Sequence, residues 1–223
     1  GPWAGQTLAD LGADVIKVEA PEGDDTRRWG PPFIEAAGET TAAYFHATNR
    51  GKRGITCDFR TAEGQETVRR LVADADVVIE NFKVGGLAKY GLDYASLQAV
   101  NPRLVYCSIS AYGHTGPDAH RAGFGLIAEA KSGIMQMVGV PGEAPPLLRI
   151  SLGDMYTGIH AVAAINAALL GRVSSGRGQH IDMALYDTLV SMHEYAVQCY
   201  TLSDGTVLPE QTGHDMPTST LYG

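Results

Sequence analysis

The chain has 223 residues, of which 44% are hydrophobic and 19% are charged, and its formal net charge is −8. This composition is typical of a globular protein with a buried core, and the excess of acidic residues argues against a general nucleic-acid binder. No segment approaches ~18 consecutive apolar residues, so we expect no membrane span. The sequence does not open with an apolar segment led by Lys or Arg, so we expect no signal peptide. The three cysteines form no CxxC motif and the seven histidines form no HExxH motif. We therefore expect reduced thiols and no metal site.

Helices and strands alternate along the first half of the chain. Helices are predicted where apolar residues recur at helical spacing, and strands where β-branched residues cluster. In chain order the pattern predicts a helix over 3–11, a strand over 14–19, a loop over 20–32, a strand over 54–59, a helix over 61–73, a strand over 77–79, short helices over 84–90 and 94–100, and a strand over 104–110.

The second half continues this alternation with a larger share of helix. The pattern predicts a glycine-rich turn over 111–117, helices over 121–138, 154–172 and 187–202, a turn over 173–178 and a strand over 180–185. The helix over 154–172 is apolar on nearly all sides, so we expect it to be buried. Alternating strands and helices imply right-handed βαβ crossovers, which predicts an α/β fold with a mostly parallel sheet.

The domain organisation is predicted from the absence of internal repeats and low-complexity segments. We expect one α/β domain over residues 1–202, followed by a linker over 203–223. The chain starts at Gly1 without a methionine and stops at Gly223 in mid-pattern. These ends predict a fragment of a longer protein.

Three segments before the longest helix are candidate ligand sites. Gly123–Ala128 matches the G-x-G-x-x-A dinucleotide fingerprint, but it does not directly follow a predicted strand, so close packing at a helix start is favoured. Asn49–Gly54 is a basic cluster beside a strand, which suits either anion binding or a solvated loop. Glu80–Lys83 places an aromatic ring at a strand end, where it could stack on a nucleotide or cap the core.

Asp154 opens the most apolar helix of the sequence. Its simplest role is that of an N-cap residue. The alternative is a functional carboxylate, because the helix dipole stabilises an anion there and a carboxylate can act as a covalent nucleophile. Neither G-x-S-x-G nor G-x-x-x-x-G-K-[ST] occurs, so serine-hydrolase and P-loop chemistry lose their usual support.

An ordered series of motifs resembles one protein family over essentially the whole chain. The series is Gly1-Pro2, LADLGADVIKVE at 8–19, GDDTR at 23–27, NRGK at 49–52, ENF at 80–82, NPRLVY at 101–106, YGHTGP at 112–117, GDMYTG at 153–158 and GRGQ at 176–179. Each motif is modest alone, but their order is specific. It resembles the class III CoA-transferase family, also called the CaiB/BaiF or formyl-CoA transferase type.

The resemblance implies a doubly wound, Rossmann-like α/β large domain together with a second, small domain. It also implies a homodimer whose two subunits interlock like links of a chain. By the family's pattern, the first strand before Gly1, the small domain and a returning C-terminal segment are missing from this chain. The cytoplasm is the expected compartment, and a mitochondrial location stays open.

The resemblance further implies an enzyme that needs no metal or tightly bound cofactor and uses CoA thioesters as substrates. Asp154 matches the family's catalytic aspartate, which forms an acyl anhydride and then a thioester with CoA. Asn81 and Phe82 match positions near the nucleotide end of CoA. The other CoA-binding candidates are Cys57, Asp58, Phe59, Arg60, Lys83, Lys89, Arg121 and Phe124.

The chain departs from the family's pattern at three places. Ala20 stands where many members have an arginine, Lys83 and Val84 stand in a Phe-Arg-Pro-Gly motif, and Gly125 stands where members often carry an acidic residue. The racemase branch has a His-Asp pair at Phe124 and Gly125, so the missing histidine favours transferase over racemase chemistry. A racemase and a non-catalytic CoA- or nucleotide-binding fragment remain alternatives.

The acyl group is suggested by the segment Arg27–Phe33, which is similar to members that use succinyl-CoA and dicarboxylic acceptors. A dicarboxylate needs a second cationic group, which Arg27, Arg28 or Arg121 could supply. Each of these arginines is equally explained as a surface charge. The expected partners are therefore an acyl-CoA and a small acid, with neither nucleic acid nor a membrane.

Overall fold

Strands and helices alternate through the computed structural model, which describes residues 1–36 and 38–213. The strands are β1 (Val15–Glu19), β2 (Phe33–Ala36), β3 (Glu39–Ala42), β4 (Lys52–Thr56), β5 (Val77–Glu80), β6 (Val105–Ser110) and β7 (His180–Ala184). The helices are α1 (Pro2–Asp10), α2 (Ala43–Ala47), α3 (Ala62–Asp74), α4 (Tyr94–Val100), α5 (Gly125–Ser132), α6 (Leu152–Ser175), α7 (Leu185–Val190) and α8 (Glu194–Leu202).

Helix α3 shows how side chains near an element set its bounds. The Thr61 hydroxyl accepts a hydrogen bond from the Gly64 N–H at 3.1 Å, which satisfies one of the free donors of the first turn. At the other end, the Asn101 amide donates to the carbonyls of Val72 and Ala75 at 3.0 and 2.9 Å. Both ends of the helix are therefore capped by side chains.

Parallel pairing joins strands that are far apart along the chain. β1 pairs with β4, with Val15 opposite Lys52, and β5 pairs with β6, with Val77 opposite Val105. β6 is also hydrogen-bonded to β7, which gives the order β5-β6-β7. Parallel partners need long crossover connections, which here contain helices. The predicted α/β fold with parallel sheet pairing is confirmed.

The first of two compact units comprises Gly1–Ile109 and Gly158–Asp182. Its hydrophobic cluster consists of Val72, Leu87, Leu92, Leu97, Leu104 and Tyr106. The Tyr106 hydroxyl donates to the Leu92 carbonyl at 3.0 Å, so this polar atom is satisfied within the core. Phe59 and Tyr90 pack against the cluster, which therefore supports the segments that follow β4 and β5.

The second unit comprises Ser110–Thr157 and the described residues from Met183 onward. Its hydrophobic cluster consists of Ala128, Leu185 and Leu189, with Leu152 packed against them. These side chains come from α5, α7 and the first turn of α6. The packing therefore fixes the start of α6 against α5.

Strands β2 and β3 form an antiparallel hairpin that the sequence analysis did not predict. Phe33 pairs with Ala42, and Ile34 pairs with Thr41. The connection contains Gly38 at φ +82°, a conformation that glycine adopts at low cost. Strands of four residues are too short to show a clear alternation of apolar and polar side chains, so periodicity could not identify them.

Two predicted helices are shorter or divided in the structure. The helix predicted over 121–138 reduces to α5, because Gly133 adopts φ +86°, the left-handed conformation that ends helices. The helix predicted over 187–202 is divided into α7 and α8. At the break, the Ser191 hydroxyl donates to the Thr188 carbonyl at 2.6 Å, and such backbone bonding by serine bends helices.

Helix α6 is longer and less buried than predicted. It continues to Ser175. Ala161 and Ile165 are fully buried, whereas Leu170 and Val173 are 75% and 84% exposed. The expectation of a helix buried on all sides was therefore wrong, because the neighbouring elements of this chain cover only one of its faces.

The predicted linker falls partly outside the described residues. Residues 203–213 contain no helix or strand, and residues 214–223 lie beyond the part that the structure describes. A single domain over 1–202 with a linker after it stays a prediction.

Candidate active site

A cavity of about 370 Å³ lies in the first unit, beside the segments that follow β4 and β5. Seven of the predicted CoA-binding residues line it: Cys57, Asp58, Phe59, Arg60, Phe82, Lys83 and Lys89. Tyr90, Leu87, Gly86 and Ala20 complete the lining, and of these the sequence analysis had considered only Ala20. The hydrogen bond from the Cys57 N–H to the Glu19 carbonyl, 2.8 Å long, continues the β1–β4 pairing into the cavity wall.

Three aromatic rings form one wall of this cavity. The Phe59 ring meets Phe82 edge to face at 5.6 Å between centroids, and it meets Tyr90 at 5.4 Å. Phe59 is anchored on the hydrophobic cluster, while Phe82 is 49% exposed. The wall therefore offers an exposed Phe82 ring that packs on Phe59, and Phe59 in turn packs on Tyr90. Such a ring is suited to stacking on a flat heterocycle.

The cations at the cavity include one arginine that is held by two carboxylates. Arg60 donates to Asp58 at 2.7 Å and to Glu22 at 2.8 Å. These hydrogen bonds hold the pKa of both carboxyl groups below their usual values. The Lys89 ammonium lies 4.8 Å from the Tyr90 ring centroid. The guanidinium of Arg60 is half exposed, so it retains donors for an anionic group.

The cations of the basic cluster at Asn49–Gly54 form hydrogen bonds and ion pairs with neighbouring residues. The Lys52 ammonium donates to three oxygen atoms at 2.7–2.9 Å, and burial lowers its pKa to about 8. Arg50 pairs with Asp10, and Arg53 pairs with Asp14, at 2.5 Å each. The structure therefore uses these cations within the first unit, which favours the structural interpretation over anion binding.

Asp154 lies in the second unit, in the first turn of α6. The helix begins at Leu152, so Asp154 is its third residue and not the N-cap residue that the simpler interpretation required. Among the described residues, no hydrogen bond reaches its carboxylate. The side chain keeps contact with solvent, yet the surrounding protein raises the pKa of its carboxyl group above the usual aspartate value.

Gly125, the first residue of α5, lies against the Asp154 carboxylate. A Cβ atom added at Gly125 would lie 2.6 Å from Oδ2 and 2.8 Å from Cγ of Asp154. No side chain larger than hydrogen fits while the carboxylate stays in place. The absence of an acidic residue here, noted as a departure from the family's pattern, thus gives the Asp154 carboxylate its space.

A buried carboxylate that was not predicted from the sequence contacts the first turn of α6, next to Asp154. Glu129 of α5 is only 2% exposed, and its Oε1 accepts a hydrogen bond from the Gly153 N–H at 2.8 Å. The available signal was a single acidic residue within the apolar part of α5, next to buried Ala128. Such a residue is more often read as a solvated side chain.

The remaining predicted residues lie elsewhere in their units. Asn81 faces the chain start, with its Oδ1 2.9 Å from where a Cβ of Gly1 would be, and it does not line the cavity. In the second unit, Arg121 pairs with Asp118 at 3.0 Å, and Phe124 precedes α5 with 78% of its area exposed.

The dinucleotide interpretation of Gly123–Ala128 lacks the structure that it requires. β6 ends at Ser110 and α5 begins at Gly125, so residues 111–124 separate them. The fingerprint needs a strand, a tight turn and a helix in immediate succession. Within residues 1–36 and 38–213, no group of three or more His, Cys, Asp or Glu is arranged to hold a metal ion. None of the described helices has the length and apolarity of a bilayer span.

Comparison with known proteins places this site in a family. The sequence profile of CoA-transferase family III matches residues 1–223. The chain belongs to this family. The resemblance inferred from the ordered motifs is therefore confirmed, and the family's α/β fold with it.

Relatives within CoA-transferase family III are similar over most of the chain. A succinate–glutarate CoA-transferase of Agrobacterium fabrum is 61% identical over 190 residues, which are 84% of this chain and 48% of the relative. A mouse succinyl-CoA:glutarate CoA-transferase is 43% identical over 192 residues, or 86% of this chain and 43% of the relative. The chain thus spans about half the length of the curated relatives it matches.

A solved structure from the same family has a closely similar fold. The crystal structure of a CAIB/BAIF family protein from Brucella suis superposes with a TM-score of 0.95 at 57% sequence identity. The match covers 98% of this chain and 57% of that one. The fold described above is therefore that of about half of a family III protein.

Proposed function

We propose that the protein to which this chain belongs transfers CoA from succinyl-CoA to a second dicarboxylic acid. The proposal is carried by the Asp154 carboxylate, which accepts no hydrogen bond from the described residues and lies in the space left by Gly125. Family membership and the dicarboxylate substrates in the relatives' names support it. We also infer a homodimer that acts in the cytoplasm and uses CoA thioesters without a tightly bound cofactor.

The cavity of the first unit is proposed to bind the nucleotide part of CoA. Phe82 offers the exposed ring on which the adenine would stack, and Phe59, itself packed against Tyr90, supports that ring. Arg60, Lys83 and Lys89 supply positive charge at the same cavity for the phosphate groups. Burial raises the pKa of the Cys57 thiol, so this residue contributes packing and not a reactive thiolate.

The proposed chemistry is nucleophilic catalysis by Asp154. Its carboxylate attacks the thioester carbonyl of the donor, the C–S bond breaks, and an acyl-aspartyl anhydride and CoA thiolate form. The thiolate attacks the aspartyl carbonyl and releases the donor carboxylate, leaving an aspartyl-CoA thioester. The acceptor carboxylate then attacks this thioester to give a new anhydride and thiolate. Attack of the thiolate on the acceptor acyl carbonyl restores Asp154 and yields the new acyl-CoA.

Of the three arginines considered for the second carboxylate of a dicarboxylic acid, Arg28 is the best candidate. Arg27 is held in a two-point ion pair by Glu19, and Arg121 pairs with Asp118. Arg28 has no carboxylate partner among the described residues, and its guanidinium donates only to a backbone carbonyl. An exposed cation with unused donors can form a pair of charged hydrogen bonds with a carboxylate.

Racemase chemistry requires a second titratable group beside the aspartate to exchange the α-proton. Phe124 and Gly125 stand where the racemase branch of the family has a His-Asp pair, and neither can accept a proton. We therefore propose CoA transfer alone.

The test is covalent trapping on the full-length protein. We expect incubation with succinyl-CoA and hydroxylamine to convert Asp154 into a hydroxamate, detected by peptide mass spectrometry, and glutarate added first to reduce the yield. Asp154→Asn should form no adduct and lose activity by at least ~1000-fold, since the nucleophile is removed. Asp187→Asn, an exposed aspartate in the first turn of α7, is the matched control and should behave as wild type. An adduct that persists in Asp154→Asn would show that another residue is the nucleophile.

A further inference from the structure

The buried Glu129 carboxylate contacts the backbone directly before the proposed nucleophile. Its Oε1 lies 2.8 Å from the Gly153 nitrogen, and the residue is 2% exposed. Burying a carboxylate is costly unless hydrogen bonds compensate for the lost water. A carboxylate buried to this degree therefore needs a specific partner, and the Gly153 N–H is that partner.

Helix α5 touches the first turn of α6 at two points that are one helical turn apart. Gly125 and Glu129 are four residues apart, so they lie on the same face of α5. Gly125 adjoins the Asp154 carboxylate, and Glu129 adjoins the Gly153 N–H. A Cβ added at Gly153 would lie 3.2 Å from the Gly125 carbonyl oxygen and 3.3 Å from Glu129 Oε1, so the two backbones approach closely.

The first turn of a helix has N–H groups without partners inside the helix. A side chain just before the helix usually accepts one of these hydrogen bonds. In α6 the acceptor for Gly153 comes instead from Glu129, 24 residues earlier in the chain. The helix dipole favours a carboxylate at this end, and the bond ties the turn that carries Asp154 to a different helix.

We propose that Glu129 is a positioning residue for Asp154, and that its hydrogen bond to Gly153 holds the nucleophilic carboxylate in its reactive position. This inference rests on the proposed role of Asp154 as nucleophile. Glu129 does not itself touch the reacting atoms. A displacement of about 1 Å at a reacting group can cost ~100-fold in rate. Loss of this bond is therefore expected to lower kcat while leaving the binding of CoA unchanged.

The test compares three substitutions in the full-length protein. Glu129→Gln keeps a carbonyl oxygen that can accept from Gly153, Glu129→Leu removes the acceptor at similar volume, and Glu129→Asp withdraws it by one methylene. We expect Glu129→Leu to lower kcat by about 10- to 100-fold, with KM for succinyl-CoA within about twofold of wild type. Glu129→Gln should recover kcat to within about threefold of wild type, because it restores the acceptor. Glu143→Leu, at an exposed loop position, is the control.

Rates are expressed per folded protein, measured by circular dichroism, so that a loss of stability is not counted as a loss of kcat. A kcat for Glu129→Leu within twofold of wild type would overturn the inference, as would an equal fall in Glu129→Gln. If Glu129→Leu does not fold, the comparison of Glu129→Asp with Glu129→Gln decides, and a higher kcat in Glu129→Asp overturns the inference. Asp154→Asn is measured in parallel: if it retains turnover, the proposed function fails, whatever the Glu129 variants do.

Discussion

The cavity of the first unit and the Asp154 site of the second unit hold their charged groups in opposite ways. At the cavity, Arg60 is paired with Asp58, two residues earlier in the chain, and with Glu22. At the second site the Asp154 carboxylate accepts no hydrogen bond from the described residues. It lies in the space left by Gly125, and the N–H of the preceding residue, Gly153, donates to the Glu129 side chain.

This difference separates binding from reactivity in physical terms. A cationic side chain that binds a phosphate benefits from partners that fix its conformation, because a fixed side chain loses less conformational entropy on binding. A carboxylate nucleophile is less reactive when its lone pairs accept hydrogen bonds. Its position must therefore be set by its own backbone and by the space that neighbouring residues leave for it. Substitutions in the two regions should therefore change different kinetic constants.

After the loss of Asp154 itself, the largest effect is expected for Gly125→Ala. The new Cβ would lie 2.6 Å from Asp154 Oδ2, so the carboxylate must move, and kcat is expected to fall by roughly 100-fold. Alanine has a higher helix propensity than glycine, so a loss of helix propensity should not lower the midpoint of thermal unfolding. Gly171→Ala in α6 is the control, because no atom lies within 4 Å of its added Cβ. A kcat for Gly125→Ala equal to that of Gly171→Ala would show that the carboxylate does not need this space.

A smaller effect, on a different constant, is expected for Phe82→Ala. Removing a ring on which a base stacks costs about 1–3 kcal/mol, so KM for succinyl-CoA should rise about tenfold. The change should appear in kcat/KM measured at low succinyl-CoA and shrink at saturation. Tyr195→Ala removes a comparably exposed ring from α8 and serves as the control. A fall in kcat alone, without a change in KM, would assign Phe82 to the reacting end of CoA.

The smallest effect concerns pH and stability at Asp154. Burial raises the pKa of its carboxyl group above 3.8, so kcat/KM should fall on acidification with a midpoint above the ordinary aspartate value. Because the folded pKa is raised, the native state binds more protons between 3.8 and that pKa, and stability decreases as pH rises through this window. Asp154→Asn should therefore melt at a higher temperature than wild type at neutral pH.

Thermal unfolding of wild type and Asp154→Asn across pH 3–7 checks this, with Asp187→Asn as the control. The difference in melting temperature should vanish below the unfolded pKa, where both side chains are neutral. A lower melting temperature of Asp154→Asn at neutral pH would mean that the ionised carboxylate stabilises the fold.

Local patterns in the sequence predicted most elements correctly. The capping residue Thr61 and the β-branched runs of β1 and β6 act within a few residues, so single-sequence reasoning finds them. The hairpin of β2 and β3 was missed because its strands are four residues long. The division between α7 and α8 was missed because it depends on which acceptor the Ser191 hydroxyl meets.

The same distinction between local pattern and tertiary contact applies to the candidate site. The seven predicted residues that line the cavity came from the family resemblance. Six of them lie in two short segments, 57–60 and 82–83, and residues adjacent in the chain at a strand end stay adjacent in space. The exposed face of α6 and the hydrogen bond from Gly153 to Glu129 were not predicted. Both depend on which elements meet, and hydrophobicity alone does not specify this.

The amino-acid sequence by itself determined the alternation of strands and helices, the family, the aspartate in GDMYTG and the aromatic and basic residues after β4 and β5. The alternation of strands and helices rests on interactions between residues close together in the chain, whereas the family and its site residues rest on the order of short motifs along the whole chain. The tertiary structure alone decided that Asp154 is not a cap, that Gly125 leaves room for its carboxylate and that Glu129 ties the turn in place. These features depend on contacts between α5 and α6, and close packing of two helices is set by the whole fold and not by either segment.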